Sequence, residues 1–199
     1  MLKLGLTGSI ATGKSTVLEA FRSLGVPTFS SDEAVHELYR GAAVGPVGHA
    51  FAGVVRDGAI DRGALSRLLV AEPARLRELE AIVHPLVRAR IAGFLADAEA
   101  AGARLAVVDI PLLFENGVDW GFDAVVVTTV DEQELRRRAL ARPGMSVEKL
   151  EAILARQWTQ AEKIGRATYV FETSGPIAAT RRAVAALVRR LDAPAGTSR

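Results

Sequence analysis

The sequence predicts an α/β fold around a mostly parallel sheet, and three observations lead there. Short apolar runs such as Leu105-Ala106-Val107-Val108 and Ala124 to Thr129 have the length and composition of strands covered on both faces. They alternate with longer segments of helical periodicity, the pattern of βαβ units. A glycine-rich turn, Gly8 to Ser15, joins the first strand to the first helix.

Leu2 to Thr7 is the first strand, and Val17, Leu18, Phe21 and Leu24 then fall on one helical face that ends at Gly25. Val26 to Phe29 is expected as a second strand. Ser30 and Glu33 have capping-box spacing and open a helix through about Tyr39. Gly41 to Gly58 is glycine-rich and is expected to be irregular. From Asp61 to about Gly102 the pattern is helical, with interruptions expected at Pro73 and at His84-Pro85. Arg104 to Asp109 and Ala124 to Thr129 are strands. Asp131 to Ala141 and Val147 to Gln157 are helices, separated by the breakers Pro143 and Gly144. Tyr169 to Phe171 is a last strand, Ile177 to Leu191 a last amphipathic helix, and 193–199 a frayed tail.

Composition narrows the functions. At 199 residues the chain makes one domain with an adequate core, since folding at this length buries roughly 70% of the exposable surface. With no cysteine, zinc ribbons, iron–sulfur clusters and thiol nucleophiles are excluded. The net charge is only +2 and acids are interleaved with the arginines, so no nucleic-acid footprint is expected. No apolar run reaches the ~18 residues of a membrane span, and Met1-Leu2-Lys3-Leu4 is expected as the start of a strand rather than of a charged segment with an apolar h-region. A soluble, cytoplasmic protein is expected.

The segment Gly8-Ser9-Ile10-Ala11-Thr12-Gly13-Lys14-Ser15, followed by Thr16, satisfies G-x-x-x-x-G-K-[ST]. Glycines let such a loop turn its backbone amides inward, and the following helix offers its positive end to the same anion. Lys14 would reach the β- and γ-phosphates, and the Ser15 hydroxyl would ligate Mg²⁺. About 0.003 chance matches are expected at this composition. The loop therefore indicates a nucleoside triphosphate site.

In parallel sheets ligands sit beyond the carboxyl ends of strands, which directs attention to Ser30-Ser31-Asp32, Asp109-Ile110-Pro111 and Thr128-Thr129. Asp32 is either an acceptor-side base, taking a hydroxyl proton late in transfer, or a first-turn carboxylate serving the helix dipole. Asp109 is either a Walker-B carboxylate that orders Mg²⁺ or a strand-end turn cap. Arg136, Arg137, Arg138 and Arg142 either stabilise phosphoryl charge from a lid or form a solvated face with Glu132 and Glu134. His84, expected at a helix start, either contacts a ligand or is structural. Trp158 reads as core.

Together these pieces resemble the dephospho-CoA kinase family. The resemblance runs from Leu4 to about Arg181. It rests on Gly5-Leu6-Thr7-Gly8 with Gly13-Lys14-Ser15-Thr16, Leu24-Gly25-Val26 leading to Asp32, and His84-Pro85-Leu86. It continues in Asp109-Ile110-Pro111-Leu112-Leu113-Phe114-Glu115, Arg142 before Gly144, Arg156-Gln157, Glu162-Lys163 and Thr173-Ser174-Gly175. The resemblance implies a P-loop three-layer sandwich with a central, mostly parallel five-stranded sheet, a helical CoA-binding lobe and a lid. It places the core at about 1–40 and 103–191, the acceptor lobe at about 60–102 and the lid at about 136–160.

It further implies phosphorylation of the ribose 3′-hydroxyl of dephospho-CoA by ATP with Mg²⁺. Lys14, Asp32 and Arg142 would be catalytic, Gly8 to Thr16 would hold ATP, and Ser15 and Asp109 would hold the metal. Asp32, His84, Pro85, Leu112 and Arg156 would contact the acceptor, with ATP and dephospho-CoA as the partners. This chain departs from the family pattern at Ser30, where an aspartate is usual, at Pro143 after the lid arginine, and at Thr168 and Glu172. The loss of the first acid throws more weight on Asp109 and Ser15 for metal binding. Two alternatives remain from the residues themselves: a kinase for another small metabolite or nucleoside monophosphate, and a nucleotide-dependent switch. The guanine-reading Asn-Lys-x-Asp of switch GTPases is absent from the sequence.

Overall fold

The computed structural model describes residues 1–192. In chain order the elements are β1 (Leu2–Gly8), α1 (Lys14–Ser23), β2 (Thr28–Ser30), α2 (Ser31–Leu38), α3 (Val44–Ala50), β3 (Val55–Arg56) and β4 (Ala59–Ile60). There follow α4 (Arg62–Ala71), a 3₁₀ turn (Pro73–Arg75), α5 (Leu76–Ala100), β5 (Leu105–Asp109), β6 (Ala124–Thr129), α6 (Glu132–Leu140), α7 (Val147–Leu154), α8 (Gln160–Ile164), β7 (Tyr169–Glu172) and α9 (Ile177–Asp192). The expected tail at 193–199 lies outside the described residues. Two compact units are formed, one by Met1–Phe29 with the chain from Asp97 onward, the other by Ser30–Ala96.

The first unit holds a five-stranded sheet in the order β2-β5-β1-β6-β7. β1 pairs in parallel with both β5 and β6, and β6 with β7. β5 and β6 keep the unbroken apolar runs Leu105–Val108 and Ala124–Val127 because both faces are covered, as those runs predicted. On one face α1 and α9 pack together. Leu4, Leu6, Val17, Phe21, Val107, Val126 and Val184 are fully buried in that core. Phe21 alone contributes about 3 kcal/mol or more, the usual loss on truncating a buried phenylalanine to alanine. The register sets Asp109 beside Leu6 and Thr128 beside Gly8, so the sheet's carboxyl ends converge on the loop after β1.

In the Ser30–Ala96 unit two sequence expectations are corrected. The helix break at His84-Pro85 does not occur: Pro85 lies inside α5, which runs unbroken for 25 residues, and His84 is not at a helix start. Proline removes one backbone donor there at a cost of roughly 3 kcal/mol. Against that, Leu79, Val83, Val87 and Ile91 form a buried i, i+4 row that crosses the proline. Four such side chains contribute about 6 kcal/mol or more, so tertiary burial overrides the local breaker. The interruption at Pro73 is present as the 3₁₀ turn.

The segment 41–58 is likewise not irregular. It contains α3, which buries Val47, is followed by the buried Phe51 at its C-cap and carries Pro46 in its first turn, where no intrahelical donor is needed. The hairpin of β3 and β4 follows, closed by Asp57 at φ 51° and Gly58 at φ 74°. That Asp-Gly pair is the usual signal for a two-residue hairpin turn. Arg75 lies 4.3 Å from the Phe51 ring centroid and donates to the Ala50 carbonyl at 2.7 Å, closing this region.

Candidate active site at the phosphate loop

The loop between β1 and α1 is shaped by steric necessity at Gly8. A Cβ there would stand 2.2 Å from the Thr128 hydroxyl and 2.6 Å from that of Thr12. Ala11 and Gly13 adopt φ of 61° and 80°, the left-handed conformations that turn successive amides to one side. Thr12 fixes the turn internally, donating from Oγ1 to the Ser9 carbonyl at 2.8 Å and meeting the Thr128 hydroxyl at 2.7 Å. From β7's end, Thr173 Oγ1 lies 2.9 Å from the Thr12 carbonyl and 3.1 Å from that of Thr129.

α1 begins at Lys14 with no side-chain cap and no acidic residue in its first turn. Its first amides are thus left for an external acceptor, and the dipole favours a negative one. Lys14 Nζ lies 3.4 Å from Asp109 Oδ1, the side chains being 17% and 8% exposed. A cation and a carboxylate therefore converge at the loop's mouth. An ammonium and a hard carboxylate oxygen are groups that could hold a phosphate and a divalent cation.

A second charged pair lies in the same unit and was not singled out as a site from the sequence. Lys163 Nζ meets Glu115 Oε1 at 2.8 Å, with exposures of 0% and 9%. The same Glu115 oxygen accepts the Trp158 backbone N–H at 2.8 Å. Burial holds the Lys163 ammonium below the ordinary lysine range, Glu115 opposes that shift, and the charge of Lys14 adds to it. Next to Trp158, Gln157 Oε1 accepts the Ile10 N–H of the loop at 3.0 Å. The Trp158 ring stacks on Phe114 at 5.8 Å and carries the Arg166 guanidinium 4.9 Å from its centroid. The sequence signal for this region was the Thr159-x-x-Glu162 capping box, which opens α8 with both reciprocal bonds formed.

The structure thus gathers Gly8 to Thr16 and Asp109 in the first unit, with Ser15 exposed in α1's first turn. Leu112 is half-buried in the segment after β5, and Arg142 and Arg156 are exposed, just beyond α6 and α7 respectively. Asp32 belongs to the Ser30–Ala96 unit, exposed in the first turn of α2, whose cap is the Ser30 side chain. His84 and Pro85 belong to the same unit, on α5. Among the α6 arginines, Arg136 and Arg137 pair with Glu132 and Glu134. Arg138 also binds Glu134 but donates from Nη2 to the Thr173 carbonyl at 2.8 Å, tying α6 to the loop's neighbour.

Residues 2–179, a stretch that takes in the loop, the Lys14–Asp109 pair and the Glu115–Lys163 pair, match the dephospho-CoA kinase family. The chain belongs to the dephospho-CoA kinase family. A member from Rhizobium meliloti (strain 1021), named dephospho-CoA kinase, is 50% identical over 193 residues, covering 97% of this chain and 100% of that relative. The crystal structure of TT1252 from Thermus thermophilus superposes with a TM-score of 0.81 at 36% identity, over 96% of this chain and 97% of that one. Dephospho-CoA kinase from Campylobacter jejuni superposes with a TM-score of 0.72 at 26% identity, over 95% and 96% of the two chains. The family's α/β architecture with a parallel five-stranded sheet is the one described above. Among the described residues no helix is long and apolar enough to cross a membrane.

Proposed function

We propose that this chain transfers the γ-phosphoryl group of ATP to the ribose 3′-hydroxyl of dephospho-CoA, giving coenzyme A and ADP, the last step of CoA biosynthesis. The observation that carries the reading is the uncapped amide-rich loop with Lys14 set against Asp109, in a chain of this family. In this reading the loop from Gly8 to Thr16 wraps the phosphates, which its uncommitted amides at the start of α1 grip. Lys14 moves from Asp109 to the β- and γ-phosphates, and Arg142 adds charge over the transferred group.

Asp32 accepts a hydrogen bond from the 3′-hydroxyl and holds its oxygen in line with the γ-phosphorus. The O–P bond to the incoming oxygen forms as the bond to the ADP oxygen breaks, and the hydroxyl proton passes to the Asp32 carboxylate. His84, Pro85, Leu112 and Arg156 contact the acceptor. The Ser15 hydroxyl and the Asp109 carboxylate are hard oxygen donors of the type Mg²⁺ takes. A single protein carboxylate suffices for an ion that shares its shell with phosphates and water. When bound, the ion neutralises charge on the β- and γ-oxygens. Lys14, Asp32 and the loop do the holding and the proton transfer.

The deciding experiment is product analysis against a panel of hydroxyl acceptors. ADP should appear in step with 3′-phosphorylated product when dephospho-CoA is present, and should not appear with nucleoside monophosphates or shikimate-like alcohols. Asp32→Asn should lower kcat by about 10²–10⁴-fold while ADP still binds. Full turnover by that variant would remove Asp32 as the base.

A further inference from the structure

We propose that Gln157 is a positioning residue of the phosphate loop, its side-chain carbonyl holding the Ile10 amide, and that the buried Glu115–Lys163 pair keeps Gln157 in place. The inference rests on the loop being the nucleotide site. It assigns a task to residues outside those expected to touch ATP, metal or acceptor.

Ile10 lies in the half of the loop next to β1, away from the helix end that presents its amides to an anion. Its N–H is held by Gln157 Oε1 at 3.0 Å, and its side chain packs with Ala11 against Ala139 and Leu150 of α6 and α7. Gln157 lies in the turn that follows α7, where its N–H is bonded to the Leu154 carbonyl at 3.0 Å and anchors the residue on one side. The following residue anchors it on the other side, because the Trp158 N–H is fixed by Glu115 Oε1 at 2.8 Å. Glu115 is fixed in turn by the fully buried Lys163.

Stability alone does not account for this pair. Two buried ions lose more hydration than their attraction returns unless every polar atom is satisfied. Here Glu115 Oε2 is buried with no hydrogen-bond partner. A packed apolar pair in the same space would serve the fold at least as well. An ion pair specifies direction and register, which apolar packing does not. A loop already held in its bound shape loses less freedom when the anion arrives, and affinity rises accordingly.

The test is a double-mutant cycle read by ADP binding, which needs no acceptor. Gln157→Met keeps the side chain's length and removes the carbonyl. It should weaken ADP about five- to tenfold, the worth of one such hydrogen bond, with the melting temperature little changed. Lys163→Met should give a loss of similar size, and the double variant no more than the larger single loss, because both act through one tie. Where Lys163→Met does not fold, Glu115→Gln/Lys163→Met removes both charges together and takes its place in the cycle. KM for dephospho-CoA should stay within about twofold in every variant, since the tie concerns the nucleotide. ADP affinity unchanged in Gln157→Met, or losses that add in the double variant, would overturn the proposal. If the parent protein ignores dephospho-CoA, the proposed function fails while the ADP cycle still decides this inference.

Discussion

Arg138 and Thr173 join two ends of the candidate site: the guanidinium donates to the Thr173 carbonyl at 2.8 Å, and the Thr173 hydroxyl stands 2.9 Å from the carbonyl of Thr12. One threonine thus connects α6 to the phosphate loop, with no direct bond between them needed.

Replacing Thr173 by valine keeps its shape and removes that hydroxyl, leaving the Thr12 carbonyl short of a donor, while the Thr129 carbonyl keeps the Thr173 N–H at 2.9 Å. Urea denaturation of Thr173→Val should show a loss of about 1–3 kcal/mol, and titration should show weaker ADP binding. Thr173→Ser should recover most of both. A valine variant that binds ADP as the parent does would show that the loop holds its shape without this contact.

Glu134 links the same helix to pH. Hydrogen bonds from Arg137 and then Arg138 hold its carboxyl at about 2, against an ordinary 4.5. A depressed carboxyl contributes stability that is complete above the ordinary value and is lost as pH falls from 4.5 toward 2. Thermal melts of the parent and Glu134→Gln should therefore differ by a constant amount near neutrality, and the gap should close over that acidic window. Its size should be small, because the group is only partly buried and solvent still screens it. A gap that widens on acidification would contradict the pairing.

Gly8 is a sharper case. The Cβ of Gly8→Ala would meet the Thr128 hydroxyl at 2.2 Å and the Thr128 carbonyl at 2.8 Å, and a carbonyl cannot rotate away. The loop must shift, which costs about 1–3 kcal/mol, and the amides leave their common direction. ADP binding should be lost while far-UV circular dichroism stays that of the parent. Gly25→Ala, which meets no atom within 4 Å, separates this effect from backbone strain alone, since its φ is 77°.

How far the sequence went depends on the distance over which each element is decided. The five strands of the large sheet and the loop were legible because apolar runs and the Gly-Lys-Ser spacing are local patterns. The Asp57-Gly58 hairpin and the Thr159–Glu162 box were equally local and present, but weak beside the glycines and proline around them. α5 was divided at His84-Pro85 because proline's penalty is visible in one residue, whereas the row from Leu79 to Ile91 acts only once another surface covers it. The Lys14–Asp109 and Glu115–Lys163 pairs join residues far apart in the chain. No spacing rule joins them, although each residue was present in the motifs of the family resemblance.

Pro85 offers a direct check on that division. Pro85→Ala restores a donor inside α5 and should raise the melting temperature, since an interior proline costs roughly 3 kcal/mol. If Pro85 contacts the acceptor as proposed, KM for dephospho-CoA should rise in the same variant while ADP affinity does not change. A higher melting temperature with unaltered KM would leave Pro85 without a part in acceptor binding.

The bare first turn of α1 has a consequence beyond recognition. A helix that starts without its own acceptor is completed by whatever anion occupies the loop, so the ligand doubles as a missing piece of the fold. At a hundred times its dissociation constant, a nucleotide adds about 2.7 kcal/mol of stability by mass action. The protein stripped of nucleotide should therefore be the form that proteases cut first, and its lifetime should follow the supply of the compound it consumes.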